Sequence, residues 1–250
     1  MVFDARRVGQ SFARSSQQSS WSCGRTPGAP WTTEPISLRL KPMSFNVRSG
    51  LTAKWLVPRL YRFLAAHPEI ETRVTSSRTF ANFTTDGIDV AIRLSTGLHP
   101  GLYVETLMDE AVLPLCSPRL VARGLKRAKD LARFDLIHFE LPMSAPGAVP
   151  SWADWLKVAR VSGVDATRGL RLDAADHALD AAAEGAGVVL AYKTMSRADI
   201  RSGRLVSPFG PELPIAGRAY HLVCPAGRET QPKIRAFRDW LRAEVERMET

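Results

Sequence analysis

The sequence has little of what marks a disulfide-rich, secreted or membrane-spanning protein. Its 250 residues include three cysteines, Cys23, Cys116 and Cys224, which are too few for a disulfide scaffold. There is no run of about 18 apolar residues that would span a membrane. The first residues hold basic side chains but no apolar stretch typical of a secretory signal. These absences favour a cytoplasmic chain without a membrane partner.

Catalytic and metal-binding patterns are also scarce. The five histidines stand alone, without HxxxH or CxxC spacing, and no GxSxG elbow or P-loop is present. Gly185 and Gly187 resemble part of a dinucleotide fingerprint, but they follow a predicted helix and precede a strand, the reverse of the required order. We therefore expect no enzyme activity, no cofactor and no metal site.

The charge of the chain is concentrated near its start. The net charge is +9, and residues 1–50 hold seven basic and two acidic residues. Residues 1–36 are rich in Ser, Arg, Gly and Pro without helical periodicity, so we predict a disordered basic segment. Nothing in it has the amphipathic pattern of a DNA-recognition helix.

Residues 51–93 have the periodicity of alternating helices and strands. Apolar side chains recur at helical spacing before Pro68: Leu56, Leu60, Phe63 and Leu64. Residues 69–75 then alternate as a strand, and 88–92 form a short apolar strand. Pro58 is predicted to lie in the first turn of its helix, where proline is tolerated. A parallel sheet with helices is expected, and such sheets bind ligands at the carboxyl ends of their strands.

Short motifs along the chain resemble those of one family. They are WLVPRLYRF, AAHPEIE, DGIDVAIR, PLCSP, AAAEGAGVVLAY, GRLVSPF and YHLVCP, in colinear order across residues 37–248. Together they resemble the effector-binding domain of LysR-type transcriptional regulators, most closely the glycine-cleavage-activator branch. The resemblance implies a two-lobed, periplasmic-binding-protein-like (type 2) α/β fold, with each lobe a mostly parallel sheet flanked by helices.

The resemblance also implies how the chain is divided. Residues 37–115 and 225–250 would form lobe I, and residues 116–224 would form lobe II. Two hinge crossings would join them at Cys116, Ser117, Val223 and Cys224. Because both cysteines lie at crossings, we expect them near each other as small buried residues, with a redox role as the alternative.

The resemblance and the local pattern together predict further elements. They are strands within 102–115 and at 136–139, 169–172, 187–191 and 218–224, and helices from Pro118, around 152–158, and at 174–184 and 231–248. On the helix that begins near Ser49, Val57 and Tyr61 form a second apolar stripe. The resemblance implies a contact in a homodimer or higher oligomer, and burial within the monomer is the alternative.

Polar groups follow the predicted strand ends. Unpaired N–H groups at helix starts attract anions, and nearby hydroxyls add donors. The candidate ligand contacts are Ser49, Gly50, Thr52, Thr75, Ser76, Ser77, Arg78, Arg93, Asp173 and Asp176. A small anionic or zwitterionic metabolite fits this polarity. The alternative for each of these residues is a purely structural role, as a helix cap, a turn residue or an ion-pair partner.

The leading hypothesis is a ligand-sensing domain that signals through a dimer and reaches DNA only through a helix-turn-helix region not recognised here. The chain is interpreted as truncated, or as read from a wrong frame over residues 1–36. The alternatives are a transporter's solute-binding protein, an enzyme on the same scaffold, and a non-functional gene remnant.

Overall fold

The computed structural model describes residues 42–77, 79–80, 82–139 and 149–249. The segment predicted as disordered, 1–36, and the candidate ligand residue Arg78 lie outside these ranges. The strands are β1 (Met43–Val47), β2 (Thr72–Ser76), β3 (Val90–Ser95), β4 (Leu102–Leu115), β5 (Leu136–Phe139), β6 (Leu170–Leu172), β7 (Val188–Tyr192) and β8 (Leu213–Pro225).

The helices are α1 (Ser49–Leu51), α2 (Val57–Ala66), α3 (Pro118–Ala122), α4 (Trp152–Val158), α5 (Ala175–Ala183), α6 (Lys193–Arg201) and α7 (Pro232–Glu249). A π-helical turn, Thr52–Leu56, joins α1 to α2, and a 3-10 helix spans Ala128–Arg133. Several predicted elements agree with the structure, among them the strand within 102–115, the strand 136–139 and the helix around 152–158. Helix α6 was not predicted, because its sequence KTMSRADIR contains few apolar residues.

The eight described strands form one sheet in the order β2-β1-β3-β8-β4-β7-β5-β6. Strands β1, β2 and β3 are parallel to one another, and so are β5, β6 and β7. The long antiparallel strands β4 and β8 lie between these two parallel groups. We call the group with β1–β3, α1, α2 and α7 the first half, and the group with β5–β7 and α3–α6 the second half. The predicted α/β class is confirmed.

An aromatic cluster packs the first half around β1. Phe237 of α7 stacks on Phe45 of β1 with ring centroids 4.0 Å apart, and it also contacts Phe63 and Trp240. All four side chains are buried. Burial of large aromatic side chains stabilises a fold by several kcal/mol in total, about 1.5–3 kcal/mol each. The last helix of the chain thus holds the first strand in place.

Pro58 lies in the first turn of α2, as predicted, although helical backbone already begins at Ser49. A proline lacks the N–H of the helix ladder and crowds the preceding turn, and the π-helical turn just before it widens the backbone there. Leu64 is not part of the core stripe, since it is 42% exposed while Leu60 and Phe63 are buried.

The two crossing strands are irregular at their centre. The β4–β8 register shifts between Thr106 and Met108 and again between Asp109 and Ala111. Cys224 pairs with Tyr103, whereas Cys116 lies beyond the other end of β4, where it bridges to Val206. The expectation that the two cysteines lie near each other is therefore wrong, because about 40 Å of extended strand separates them. The hinge role of Cys116, Ser117, Val223 and Cys224 stays a prediction, as do the lobe boundaries.

Candidate effector-binding cleft

A cleft lies where the carboxyl ends of the parallel strands of both halves meet. The residues that line it lie at the carboxyl ends of β1, β3, β5, β6 and β7 or directly after them. The first half contributes Arg48, Ser49, Gly50, Leu51 and Leu94, and the second half contributes Phe139, Asp173, Ala174, Ala175, Tyr192 and Met195, with Tyr220 from β8. This is the position at which open α/β sheets bind ligands.

The halves are closed on each other in this structure. The cavity left between them measures about 30 Å³, which is room for about one or two water molecules. The closest approach is at Gly50, where a Cβ atom would lie 2.8 Å from Met195 Sδ and 3.4 Å from Ala175 Cβ. A metabolite of several heavy atoms therefore needs a wider separation of the halves than the one observed.

Charged side chains join the halves beside the cleft. Lys54 Nζ lies 2.7 Å from Asp180 Oδ1 and 3.4 Å from Asp199 Oδ2, both in the second half. The other carboxylate oxygen of Asp199, Oδ1, lies 2.7 Å from Arg204 Nη1. Lys54 and Asp199 are largely shielded from water, so salt screens their attraction less than it screens an ordinary surface ion pair.

A buried polar cluster that the sequence reasoning missed lies beneath the cleft. Glu110 Oε1 accepts hydrogen bonds from the N–H groups of Ala111, at 2.9 Å, and Thr194, at 3.1 Å. Among the described residues, Glu110 Oε2 and the Tyr192 hydroxyl are buried without a hydrogen-bond partner. Burial raises the pKa of Glu110 to about 7. Burial, with a further contribution from the Glu110 carboxylate, also raises the pKa of Tyr220 well above its usual value.

Arg48 supplies positive charge at the edge of this cluster. Burial raises the pKa of Tyr192 as well as that of Tyr220. Arg48 lies close enough to both hydroxyls to oppose this increase. No carboxylate among the described residues lies within 4 Å of its guanidinium. The sequence did contain a signal for Arg48 as a cleft residue, because it lies directly after the predicted strand end and before Ser49. For Glu110 there was no such signal, because β4 holds two further acidic residues, Glu105 and Asp109, and its sequence does not indicate which of the three is buried.

The structure places three of the predicted ligand residues, Ser49, Gly50 and Asp173, on the cavity wall. The backbone of Asp176 is close to Gly50, and its Oδ1 is buried without a hydrogen-bond partner among the described residues. Thr52 is buried nearby, and its hydroxyl donates to the Arg48 carbonyl at 2.9 Å. These residues lie in or directly beside the first turns of α1 and α5, the two helix starts that face each other.

A separate polar network next to β1 and β3 holds three of the other predicted residues, Thr75, Ser77 and Arg93. The Thr75 hydroxyl donates to the Phe45 carbonyl and accepts from Asn46, and Arg93 donates to Asn46 and to the Thr79 carbonyl. Ser77 bonds to Thr79, and Ser76 is exposed. None of them lines the cavity of the closed cleft. Burial, and secondly repulsion by Arg48, lowers the pKa of Arg93 to about 10.

The described residues provide little for other chemistry. They contain no group of three or more His, Cys, Asp or Glu side chains that could hold a metal ion. Over the same ranges, none of the helices is both apolar and long enough to cross a bilayer. Burial raises the pKa of the Cys116 thiol and of the Cys224 thiol to about 11, so both are protonated at neutral pH.

Comparison with known proteins supports the resemblance. The family model described as LysR substrate binding domain matches residues 43–246. The glycine cleavage system transcriptional activator of Escherichia coli strain K12 is 35% identical over 205 residues, 81% of this chain and 65% of the relative. The HTH-type transcriptional activator AmpR of Rhodobacter capsulatus is 31% identical over 202 residues, 81% of this chain and 66% of the relative. The chain thus spans slightly less than two thirds of these relatives' length.

Solved structures agree in fold. The effector domain of the transcriptional regulator AmpR of Pseudomonas aeruginosa superposes with a TM-score of 0.67 at 27% identity, covering 82% of this chain and 95% of that domain. The AmpR effector binding domain from Citrobacter freundii gives a TM-score of 0.68 at 23% identity over 83% of this chain and 100% of that domain, which shows the fold alone. The two-lobed type 2 periplasmic-binding-protein-like fold is confirmed, and the chain belongs to the LysR substrate-binding domain family.

Proposed function

We propose that this domain binds a small anionic or zwitterionic metabolite between its two halves and passes the signal on within a regulator of transcription. The observation that carries the proposal is the polarity of the cleft. Arg48 approaches it from the first half, and Asp173 and Asp176 approach it from the second. A carboxylate on the ligand would pair with Arg48, and an ammonium or hydroxyl group would reach the two acids.

The mechanism follows from the closed geometry. Because the closed cavity is too small for such a ligand, the ligand must enter a more open form and hold the halves at a defined separation. A ligand shifts this equilibrium only by its difference in affinity for the two forms. The irregular centre of β4 and β8, between Thr106 and Ala111, is where we place the bending.

Binding of the effector would be transmitted through contacts between two or more copies of the chain. Val57 and Tyr61 on α2 are 50% and 61% exposed, so the described part of the chain leaves both side chains uncovered. We infer that they contact a second copy, so that a change in the angle between the halves changes the dimer. The named relatives are transcriptional activators, so we place the whole protein in the cytoplasm, acting on DNA through a helix-turn-helix region and having no catalytic role.

A thermal-shift screen of the chain against small carboxylates and amino acids tests the proposal. A ligand that binds only the folded state raises the midpoint of unfolding in a saturable way. We expect such a ligand to lose its effect in Arg48→Gln and to keep it in Arg119→Gln, an exposed arginine on α3 away from the cleft. Thr75→Ala and Ser77→Ala test whether the polar network next to β1 and β3 takes part.

Either of two results would contradict the proposal. One is the absence of any shift from a chain that unfolds cooperatively. The other is an equal loss of the shift in Arg48→Gln and Arg119→Gln, which would mean that the compound binds by general surface charge.

A further inference from the structure

A second concave surface, outside the cleft, lies between α2, α6 and α7. It encloses about 410 Å³ and is lined by six cationic side chains: Lys54, Arg59, Arg62, Arg197, Arg201 and Arg247. Helices α2 and α7 belong to the first half and α6 to the second, so this groove also spans the two halves. We call it the arginine groove. Its volume lies within the range of small-molecule sites.

The arginine groove has more positive charge than its own acids neutralise. Its single acidic lining residue is Glu244, whose side chain is 1% exposed. Glu244 is shared by Arg62 at 2.9 Å, Arg247 at 2.5 Å and Arg59 at 3.9 Å. Arg197 donates instead to the Met248 carbonyl. Among the described residues, no carboxylate lies within 4 Å of Arg197 or Arg201.

The crowding of these cations is visible at Arg59. Burial lowers the pKa of Arg59, Glu244 opposes that effect, and repulsion by Arg201, Arg62 and Arg197 lowers it further. Guanidinium groups from α2 and α6 therefore lie close enough to repel each other, and Glu244 offsets part of that repulsion at Arg59. Like charges in a partly shielded groove are unfavourable, and a bound anion would remove that cost.

The type of cation indicates the type of anion. Five of the six lining cations are arginines, whose planar groups donate paired hydrogen bonds to phosphate oxygens. A single carboxylate would satisfy one or two of them, whereas a phosphate or diphosphate presents oxygens in several directions. We propose that the arginine groove binds a small multivalent oxyanion of the phosphate class and thereby ties α6 to α2 and α7.

Isothermal titration with inorganic pyrophosphate, and with orthophosphate for comparison, tests this proposal at constant ionic strength set with chloride. Arg201→Gln is the informative variant, because Arg201 is exposed and is not needed to hold Glu244. We expect saturable binding of pyrophosphate that is weakened about tenfold or more in Arg201→Gln, as the loss of a charge-assisted pair implies. Arg201→Lys, which keeps the charge but not the paired donors, should recover part of the affinity.

The control is Arg119→Gln, which removes an exposed arginine outside the groove and should leave the affinity unchanged. Arg48→Gln should also leave it unchanged, so failure here is distinguishable from failure of the cleft proposal. Absence of saturable pyrophosphate binding would overturn the inference. So would equal weakening in Arg201→Gln and Arg119→Gln, because the anion would then bind through overall charge.

Discussion

At the scale of single residues, Glu110 stands out because a carboxyl group is buried at the centre of a crossing strand. Its pKa is raised to about 7 by burial, from an ordinary value of 4.5. As the pH rises, the unfolded chain releases this proton near 4.5, whereas the folded chain releases it only near 7. The free energy of unfolding therefore decreases across this window and is lowest above it.

Replacing Glu110 with Gln should remove this pH dependence. The amide keeps the shape and an acceptor for the Ala111 and Thr194 N–H groups but cannot ionise. Relative to the variant, the wild-type chain should lose about 2–3 kcal/mol of unfolding free energy between pH 4.5 and pH 8. Urea unfolding at several pH values measures this difference.

The comparison with the variant is needed because other groups titrate nearby. Burial lowers the pKa values of His99 and His221, so these residues destabilise the fold as the pH falls below about 6.5. Both proteins carry them, and their effect cancels in the difference. Asp109→Asn, at the exposed neighbouring position, is the matched control. A difference between wild type and Glu110→Gln that stays constant with pH would contradict the burial argument.

At the scale of elements, α2 has two apolar stripes with separate roles. Leu60 and Phe63 face the core, whereas Val57, Tyr61 and Leu64 follow at spacings of four and three residues on the solvent side. A contiguous apolar stripe on an exposed helix often marks an interface. Cation–π packing of Arg62 on the Tyr61 ring covers part of it.

Tyr61→Asp should weaken self-association of the chain without unfolding it. A charge placed in an apolar contact must be desolvated, so the dimer dissociation constant should increase by about tenfold or more. Sedimentation velocity over a range of protein concentrations measures this change. Val158→Asp is the control, since Val158 is 56% exposed on α4. Equal association of the wild type and both variants would exclude α2 as the contact.

At the scale of the whole molecule, closure of the two halves depends on the missing side chain at Gly50. The cavity beside it holds about 30 Å³, which is far less than the volume of a leucine side chain. Gly50→Leu should therefore force the halves apart and increase the radius of gyration measured by small-angle X-ray scattering. Interior packing cannot absorb such a volume without movement.

Ala53→Leu is the matched control for this change, because Ala53 is exposed three residues further along the same helical segment. It should leave the scattering curve unchanged. An unchanged radius of gyration in a folded Gly50→Leu chain would mean that Met195 alone moves aside and that closure does not depend on Gly50.

Much of the architecture was predictable from the sequence, because local pattern reports local structure. Alternating apolar residues and turn signals predicted the α/β class and most strands and helices, including 102–115 and 136–139. The motifs of the resemblance predicted the family. Helix α6 was missed because several of its buried residues are polar: Thr194, Ser196 and Asp199. The Thr194 N–H donates to Glu110, the Ser196 hydroxyl donates to a carbonyl of the same helix, and Asp199 accepts from Lys54 and Arg204.

The sequence by itself predicted the α/β class, the family and most of the secondary structure, since these follow from periodicity and from short motifs. Only the tertiary structure decided which polar residues share one cavity. It brought Arg48, Gly50 and Tyr192 together and set Thr75 and Arg93 apart, because this depends on the angle between halves joined by β4 and β8. It also gathered arginines from three helices into one groove. No local pattern encodes such distances between segments that lie far apart in the chain.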